Sequence, residues 1–96
     1  EWRRALVGEA VGRMKSAYAA EKRAEWFEVF RRIDLADGEC PKYRDVAAAV
    51  GIKETDVDNR LSHARKRLFE IVREVVAESV ADAEALEREM KELFPG

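Results

Sequence analysis

The spacing of apolar residues predicts helices over most of the chain. In the first segment, from Trp2 to about Ala20, apolar residues recur every three or four positions, as one face of a helix requires. A second apolar stripe consists of Trp26, Phe27, Val29, Phe30 and Ile33, and we expect its aromatic residues Trp26, Phe27 and Phe30 to lie in the core. Neither Gly nor Pro separates the two segments, so we expect these helices to join with little interruption near Ala20.

The remaining sequence predicts a loop followed by three more helices. The loop covers residues 34–41 and contains Gly38 and Pro41. A short third helix follows over residues 43–50. A long fourth helix, over residues 55–81, contains no helix-breaking residue. The fifth helix follows directly, and no strand is predicted.

Residues 43–68 consist of a short helix, a tight turn and a second, basic helix. Gly51 comes directly after the short helix, where a left-handed backbone favours Gly. Ile52 is placed to close the turn from inside, and Thr55 or Glu54 could open the long helix by capping or by favourable charge. This pattern is that of a helix-turn-helix, which places its second helix in the major groove of DNA. Helical hairpins with Gly in the turn also occur in structural bundles and in protein-binding domains.

The same residues resemble region 4 of bacterial sigma-70 family factors, in particular the extracytoplasmic-function (ECF) branch. In that family a Val-Ala helix precedes a Gly-Ile or Gly-Leu turn, which is followed by Val-x-x-Arg-Leu-x-x-Ala-Arg-x-x-Leu. The matching positions follow one another without a gap: Tyr43, Val46, Ala47, Gly51, Ile52, Val57, Arg60, Leu61, Ala64, Arg65 and Leu68. The resemblance implies an all-α fold: a small bundle of about five helices containing a helix-turn-helix (winged-helix-like, of the sigma region 4 type) and a long fourth helix.

We expect a single domain over residues 1–96, with a helix-turn-helix core at 43–68 and a C-terminal helical extension at 81–94. The chain begins at Glu1 rather than Met, so we expect it to be part of a longer protein. The last helix could complete the core of this chain or dock on another chain. Its apolar face consists of Ala83, Leu86, Met90, Leu93 and Phe94.

The resemblance also implies a set of DNA contacts. The residues expected to face bases or nearby phosphates, or to support those that do, are Thr55, Asp58, Asn59, Arg60, Ser62, His63, Arg65 and Lys66. Asp58 could accept a hydrogen bond from cytosine, and Asn59 could pair with adenine. The family often has Lys or Arg at the position of Asp58 and Arg at that of His63, and Asp56 and Asp58 together repel phosphates. No second His or Cys lies at ligand spacing from His63, so a metal role is not expected.

Basic charge is concentrated in the predicted DNA-binding segment. Residues 42–74 carry a net charge of +2, whereas the residues after them carry −4 and the whole chain −2. Because phosphate attraction provides most of the sequence-independent affinity for DNA, we expect this chain to bind weakly by itself. An alternative interpretation is that the basic side chains of residues 60–67 form a solvated face, paired with Glu70 or Glu74 at four-residue spacing.

These features together predict a sigma factor domain for transcription initiation. Such a domain binds the upstream (−35) promoter element while contacting core RNA polymerase, and tethering to polymerase replaces intrinsic affinity with effective concentration. An anti-sigma protein would be a natural further partner. Two alternatives remain open: a sigma-like interaction module, which could form a homodimer through its C-terminal helix, and an ordinary helix-turn-helix transcriptional regulator.

No enzyme class is predicted. The sequence has no Gly-rich phosphate loop, no Cys/His metal set and no Ser-His-Asp arrangement, so we expect neither a cofactor nor a metal. No stretch has the apolar length of a membrane span, and no signal-peptide pattern is present. The single cysteine, Cys40, cannot form an internal disulfide and fits a reducing cytosol, so we expect a cytoplasmic protein.

Overall fold

The computed structural model describes residues 2–95, which form five α-helices and contain no strand. The helices are α1 (Trp2–Ala20), α2 (Ala24–Asp34), α3 (Tyr43–Val50), α4 (Glu54–Ser79) and α5 (Ala83–Leu93). The predicted all-α class, the number of helices and the long fourth helix are therefore confirmed. Glu1 and Gly96, the ends of the predicted 1–96 domain, lie outside the described residues.

The prediction that the first two helices join near Ala20 is wrong. A turn of three residues separates α1 from α2, and Lys22 at its centre has a φ of 61°, in the left-handed region. Its backbone N–H donates to the Ala19 carbonyl at 3.1 Å, and that of Arg23 donates to the Tyr18 carbonyl at 2.8 Å, so the turn closes the end of α1. The order of residues carries no signal for this turn, because a Lys replaces the Gly that usually occupies such a position.

The connection between α3 and α4 forms at the predicted place. Gly51 has a φ of 83°, and its N–H donates to the Ala47 carbonyl at 2.8 Å, as does that of Ile52 at 3.0 Å. The residue before α4, Lys53, makes no side-chain cap, and Thr55 lies inside the helix, so the predicted capping by Thr55 is wrong. Favourable charge is present instead, since Glu54 and Asp56 lie in the first turn of α4.

The long helix α4 is the centre of the fold, and each of the other four helices packs against it. Its buried face contributes Val57, Leu61, Ala64, Ile71, Val72, Val75 and Val76 to one apolar core. Leu6, Ala10, Met14 and Tyr18 of α1, Phe27, Val29, Phe30 and Ile33 of α2, and Val46 and Ala47 of α3 complete it from the other side. The outer face of the first half of α4 is left exposed.

The last helix closes the core of this same chain. Asp82 caps α5, because its carboxylate accepts a hydrogen bond from the Ala85 backbone N–H at 2.8 Å. Met90 is buried in the core, and Leu86 and Leu93 are partly buried against it. The helix covers residues 83–93 of the predicted 81–94 extension. The apolar face of α5 therefore contributes to the core of this chain, while Phe94 of the same face stays exposed.

Candidate nucleic-acid interface

Six of the predicted DNA contacts lie on one exposed face of α4. They recur every three or four positions, so they form a continuous line along the helix, opposite the buried Val57, Leu61 and Ala64. We call this line the α4 polar stripe; it consists of Thr55, Asp58, Asn59, Ser62, His63 and Lys66. Hydroxyl, amide, carboxylate, imidazole and ammonium groups are therefore presented together, as a surface that reads base edges by hydrogen bonding requires.

Arg60 lies at the edge of this stripe and is held by α2. Its guanidinium is 3.4 Å from the Glu25 carboxylate and stacks over the Trp26 ring at 5.1 Å from the ring centroid. Only 21% of its side chain is exposed. Arg60 therefore connects α4 to α2, and its charge is directed at Trp26 and Glu25.

Arg65 is engaged in a bidentate ion pair across helices. Its Nε and one terminal nitrogen donate to the two carboxylate oxygens of Asp34 at 2.8 and 2.7 Å. These hydrogen bonds raise the pKa of the Arg65 guanidinium, because they stabilise its charged form. The charge of Arg65 is thus largely balanced by α2, whereas that of Lys66 is not: Lys66 forms no salt bridge with any carboxylate of residues 2–95.

The expected pairing of basic residues with Glu70 or Glu74 does not occur. Arg67 instead donates to Glu21 of the α1–α2 turn, with one nitrogen–oxygen distance of 2.8 Å, and stacks over the Tyr18 ring at 4.7 Å. Within the described part of the chain, neither Glu70 nor Glu74 forms a salt bridge. The partners of the α4 arginines are therefore chosen by which helices pack together, and spacing along α4 does not reveal them.

His63 is exposed but held in a fixed position. Its Nδ1 is 2.7 Å from the Tyr18 hydroxyl, and its ring meets the Trp26 ring edge-on with centroids 4.8 Å apart. Burial raises the pKa of Tyr18, so its hydroxyl is protonated at neutral pH and can donate to Nδ1. In that arrangement the proton of the neutral imidazole lies on Nε2, which is then a hydrogen-bond donor.

The α4 polar stripe is flanked by two concave surfaces. On one side, a polar recess of about 280 Å³ lies between the α1–α2 turn and α4; its lining residues are Glu21, Arg23, His63, Lys66, Arg67 and Glu70. On the other side, an apolar groove of about 630 Å³ lies between α1, α2 and α4, with Phe69 and Phe94 at its edge. These two rings are exposed and pack edge-to-face 5.0 Å apart.

Three residues of this region are not identified by the sequence pattern. The apolar spacing predicts only that Tyr18 and Trp26 belong to apolar helix faces, yet their rings contact His63 and three arginines. The sequence does give an indication for Tyr18: a tyrosine on an apolar helix face is expected to be buried, and a buried Tyr hydroxyl usually has a hydrogen-bond partner. Arg23 carries no signal, since its proximity to α4 depends on the unpredicted turn.

No protein-family model, curated protein or solved structure matches this chain. None of the helices within residues 2–95 has the length and apolar character that crossing a bilayer requires. In the same residues no cluster of three or more His, Cys, Asp or Glu side chains is arranged to hold a metal ion. The assignment of function therefore depends on the residue pattern and on the geometry described above.

Proposed function

We propose that this chain is a promoter-reading domain of the sigma region 4 type, similar to those of ECF sigma factors, acting in the cytoplasm. In this proposal α3 and α4 form a helix-turn-helix, and the first turns of α4 enter the major groove of the upstream (−35) promoter element. Core RNA polymerase holds the domain in place. The observation that carries the proposal is the unbroken α4 polar stripe, which begins directly after the Gly51 turn.

The dimensions of the stripe support a major-groove role. From Thr55 to Lys66 it extends about 17 Å along the helix, at about 1.5 Å per residue. That length corresponds to about five base pairs, at about 3.4 Å per base pair along one strand. The groove, about 12 Å wide, admits one α-helix. Asn59 and Ser62 lie in the middle of the stripe, where base edges would be met.

Electrostatics support recognition by a tethered domain. The stripe as a whole carries one positive charge, on Lys66, and one negative charge, on Asp58, and Arg60 and Arg65 are paired with acidic residues of α2. The chain as a whole carries −2. Non-specific attraction to phosphates is therefore weak, and tethering to polymerase supplies the missing affinity as effective concentration.

The test is selection of bound sequences from a pool of short duplexes at about 50 mM and about 200 mM salt. The chain is used alone and fused to a polymerase-tethered domain. We expect one enriched motif, and we expect Asn59→Ala and Ser62→Ala to relax the preference at single positions by about 1–3 kcal/mol. Ser16→Ala, an exposed serine on α1, is the matched control and should leave the motif unchanged. Absence of binding at low salt, including by the fusion, would contradict the proposal.

A second candidate function is a protein-interaction module, and the apolar groove favours it. Phe69 and Phe94 are exposed at 39% and 40%, beside a concave apolar surface next to the stripe. Core polymerase, an anti-sigma protein or a second copy of the chain could cover it. Phe69→Ala distinguishes the two functions: loss of partner binding or self-association with an unchanged DNA motif would assign the groove to a protein partner. An ordinary helix-turn-helix regulator would bind DNA without polymerase.

A further inference from the structure

The polar recess beside the α4 polar stripe has an uneven charge balance. Arg67 donates hydrogen bonds to the Glu21 carboxylate, so these two charges neutralise each other. Arg23 and Lys66 remain as cations, with Glu70 as the opposing acid. Neither Arg23 nor Lys66 forms a salt bridge with a carboxylate of residues 2–95. The recess is therefore net positive, and it has capacity for an anion.

Two of the groups that line the recess, Arg23 and His63, are held in place by aromatic rings before any ligand arrives. The Arg23 guanidinium stacks over the Trp26 ring at 5.0 Å from its centroid. His63 is fixed by Tyr18 and Trp26, which directs the proton of the neutral ring to Nε2 when Tyr18 donates to Nδ1. Fixed donors lose little conformational freedom on binding, so a small anion can be held by few contacts.

The turn that forms one wall also contains Lys22, the residue before Arg23, whose side chain does not line the recess. Lys22 has a left-handed backbone, a conformation that costs a residue with a Cβ about 1–2 kcal/mol and that Gly adopts freely. A lysine at this position provides a positive charge next to Arg23 that a Gly would not provide, but it leaves the backbone strained. Strained backbone positions of this kind cluster at ligand-binding sites.

The recess and the stripe share two residues. His63 and Lys66 belong to both, so a ligand in the recess would be continuous with a duplex whose bases face Asn59 and Ser62. A helix seated in the major groove has a sugar–phosphate backbone along each side. The side of α4 that carries the recess would therefore meet one of the two strands.

We infer that the polar recess binds a backbone phosphate diester of the DNA strand flanking α4, through Arg23, Lys66 and His63 with Lys22 alongside. The inference rests on the proposed function, and it adds the α1–α2 turn to the DNA-binding surface. This contact fixes the position of α4 in the groove and carries no base preference, because phosphates are the same at every step.

The test measures the salt dependence of binding to the enriched duplex and to an unrelated duplex. Each neutralised phosphate contributes about 0.9 to the slope of log K against log salt, or about 3.5-fold in affinity for a fourfold change in salt. Arg23→Gln should lower the slope by about this amount on both duplexes, and Arg23→Lys should restore part of it. Lys91→Gln removes one positive charge from the exposed face of α5 and is the matched control; its slope should equal that of the wild type.

The possible outcomes of this test distinguish a failure of the recess assignment from a failure of the proposed function. Sequence-selective binding by the wild type with an unchanged slope in Arg23→Gln would overturn the recess assignment and leave the proposed function standing. A changed base preference in Arg23→Gln would also overturn it, since Arg23 would then contact a base. No duplex binding at low salt by the wild type, either alone or in the fusion to a polymerase-tethered domain, would overturn both proposals. Inorganic phosphate is the second probe: a saturable shift of the His63 NMR signals by phosphate, with an unchanged DNA slope, would assign the recess to a free anion.

Discussion

Two single residues with a left-handed backbone close helices, but only one of the two turns can be predicted from the sequence. Gly51 ends α3 and Lys22 follows the end of α1. Gly lacks a Cβ and adopts this backbone readily, so the turn at Gly51 is predictable. A lysine gives no such signal, and the turn at Lys22 is not. Their substitutions should therefore change stability in opposite directions.

We expect Gly51→Ala to lower the free energy of unfolding by about 1 kcal/mol, because a Cβ is disfavoured at a φ of 83°. The space around Gly51 is open, with no other atom within 4 Å of the place an added methyl group would take, so backbone strain is the whole effect. Urea unfolding followed by circular dichroism measures it. Gly51→Asn should lose less, since Asn tolerates this backbone. Equal losses for Ala and Asn would contradict this explanation.

We expect Lys22→Gly to raise the free energy of unfolding by about 0.5–1 kcal/mol, because it relieves the left-handed strain. Lys22→Ala keeps the Cβ and should give no gain, so the pair separates backbone strain from loss of charge. Both variants should change salt-dependent DNA binding alike, since both remove the positive charge next to Arg23 in the α1–α2 turn. Thermal unfolding and duplex titration measure the two effects separately.

Between elements, ion pairs connect α4 to its neighbouring helices. Arg65 pairs with Asp34, Arg67 with Glu21, and Arg60 with Glu25. These pairs orient α1 and α2 along α4 and remove charge from the proposed DNA surface. They could not be predicted from the order of residues, because their partners are 31 to 46 positions apart.

We expect the Arg65–Asp34 pair to contribute only about 0.2–1 kcal/mol to stability, because more than half of the Arg65 side chain is exposed and water screens the interaction. A double-mutant cycle with Arg65→Ala and Asp34→Ala, read by urea unfolding, isolates that energy. Asp34→Ala should also release Arg65 and strengthen duplex binding at low salt. Weaker binding by Asp34→Ala would contradict the explanation that pairing with Asp34 reduces the attraction of Arg65 to DNA phosphates.

Within α2, Glu28 gives a pH dependence of defined sign. The hydrogen bond from Arg31, with further help from Arg32, holds the pKa of Glu28 below its ordinary value of 4.5. The folded state thus favours the ionised form, so the stabilisation is present above the ordinary pKa of 4.5 and is lost as pH falls through the lowered pKa. We expect Glu28→Gln to lower the melting temperature at pH 7, and we expect this difference from the wild type to shrink as the pH is lowered from 4.5 and Glu28 becomes protonated. A difference that persists in acid would point to packing instead.

In the whole molecule, α5 completes the core around the second half of α4. The apolar pattern leaves two roles open for this helix; Met90 is buried in the core of this chain, whereas Phe94 of the same apolar face is exposed. The apolar groove beside Phe94 is not covered by any part of residues 2–95. The molecule therefore has an exposed apolar surface in addition to its buried core.

We expect Met90→Ala to lower the free energy of unfolding by about 2–5 kcal/mol, because it leaves a cavity in the core. Lys91→Ala, at the neighbouring exposed position, should change it by less than about 0.5 kcal/mol. Unfolding and sedimentation are measured on the same samples. An unchanged unfolding curve together with a changed association state would mean that α5 serves another chain in solution.

The helices, the Gly51 turn and the exposed face of α4 follow from the order of amino acids. Apolar periodicity and the preference of Gly for left-handed backbone act within a few neighbouring residues, so both are visible in the sequence. The turn at Lys22, the partners of Arg65 and Arg67, the Tyr18–His63 contact and the polar recess emerge only when the chain is packed. These depend on which helices lie side by side, because a charged or aromatic side chain interacts with whatever packing brings within a few ångströms of it.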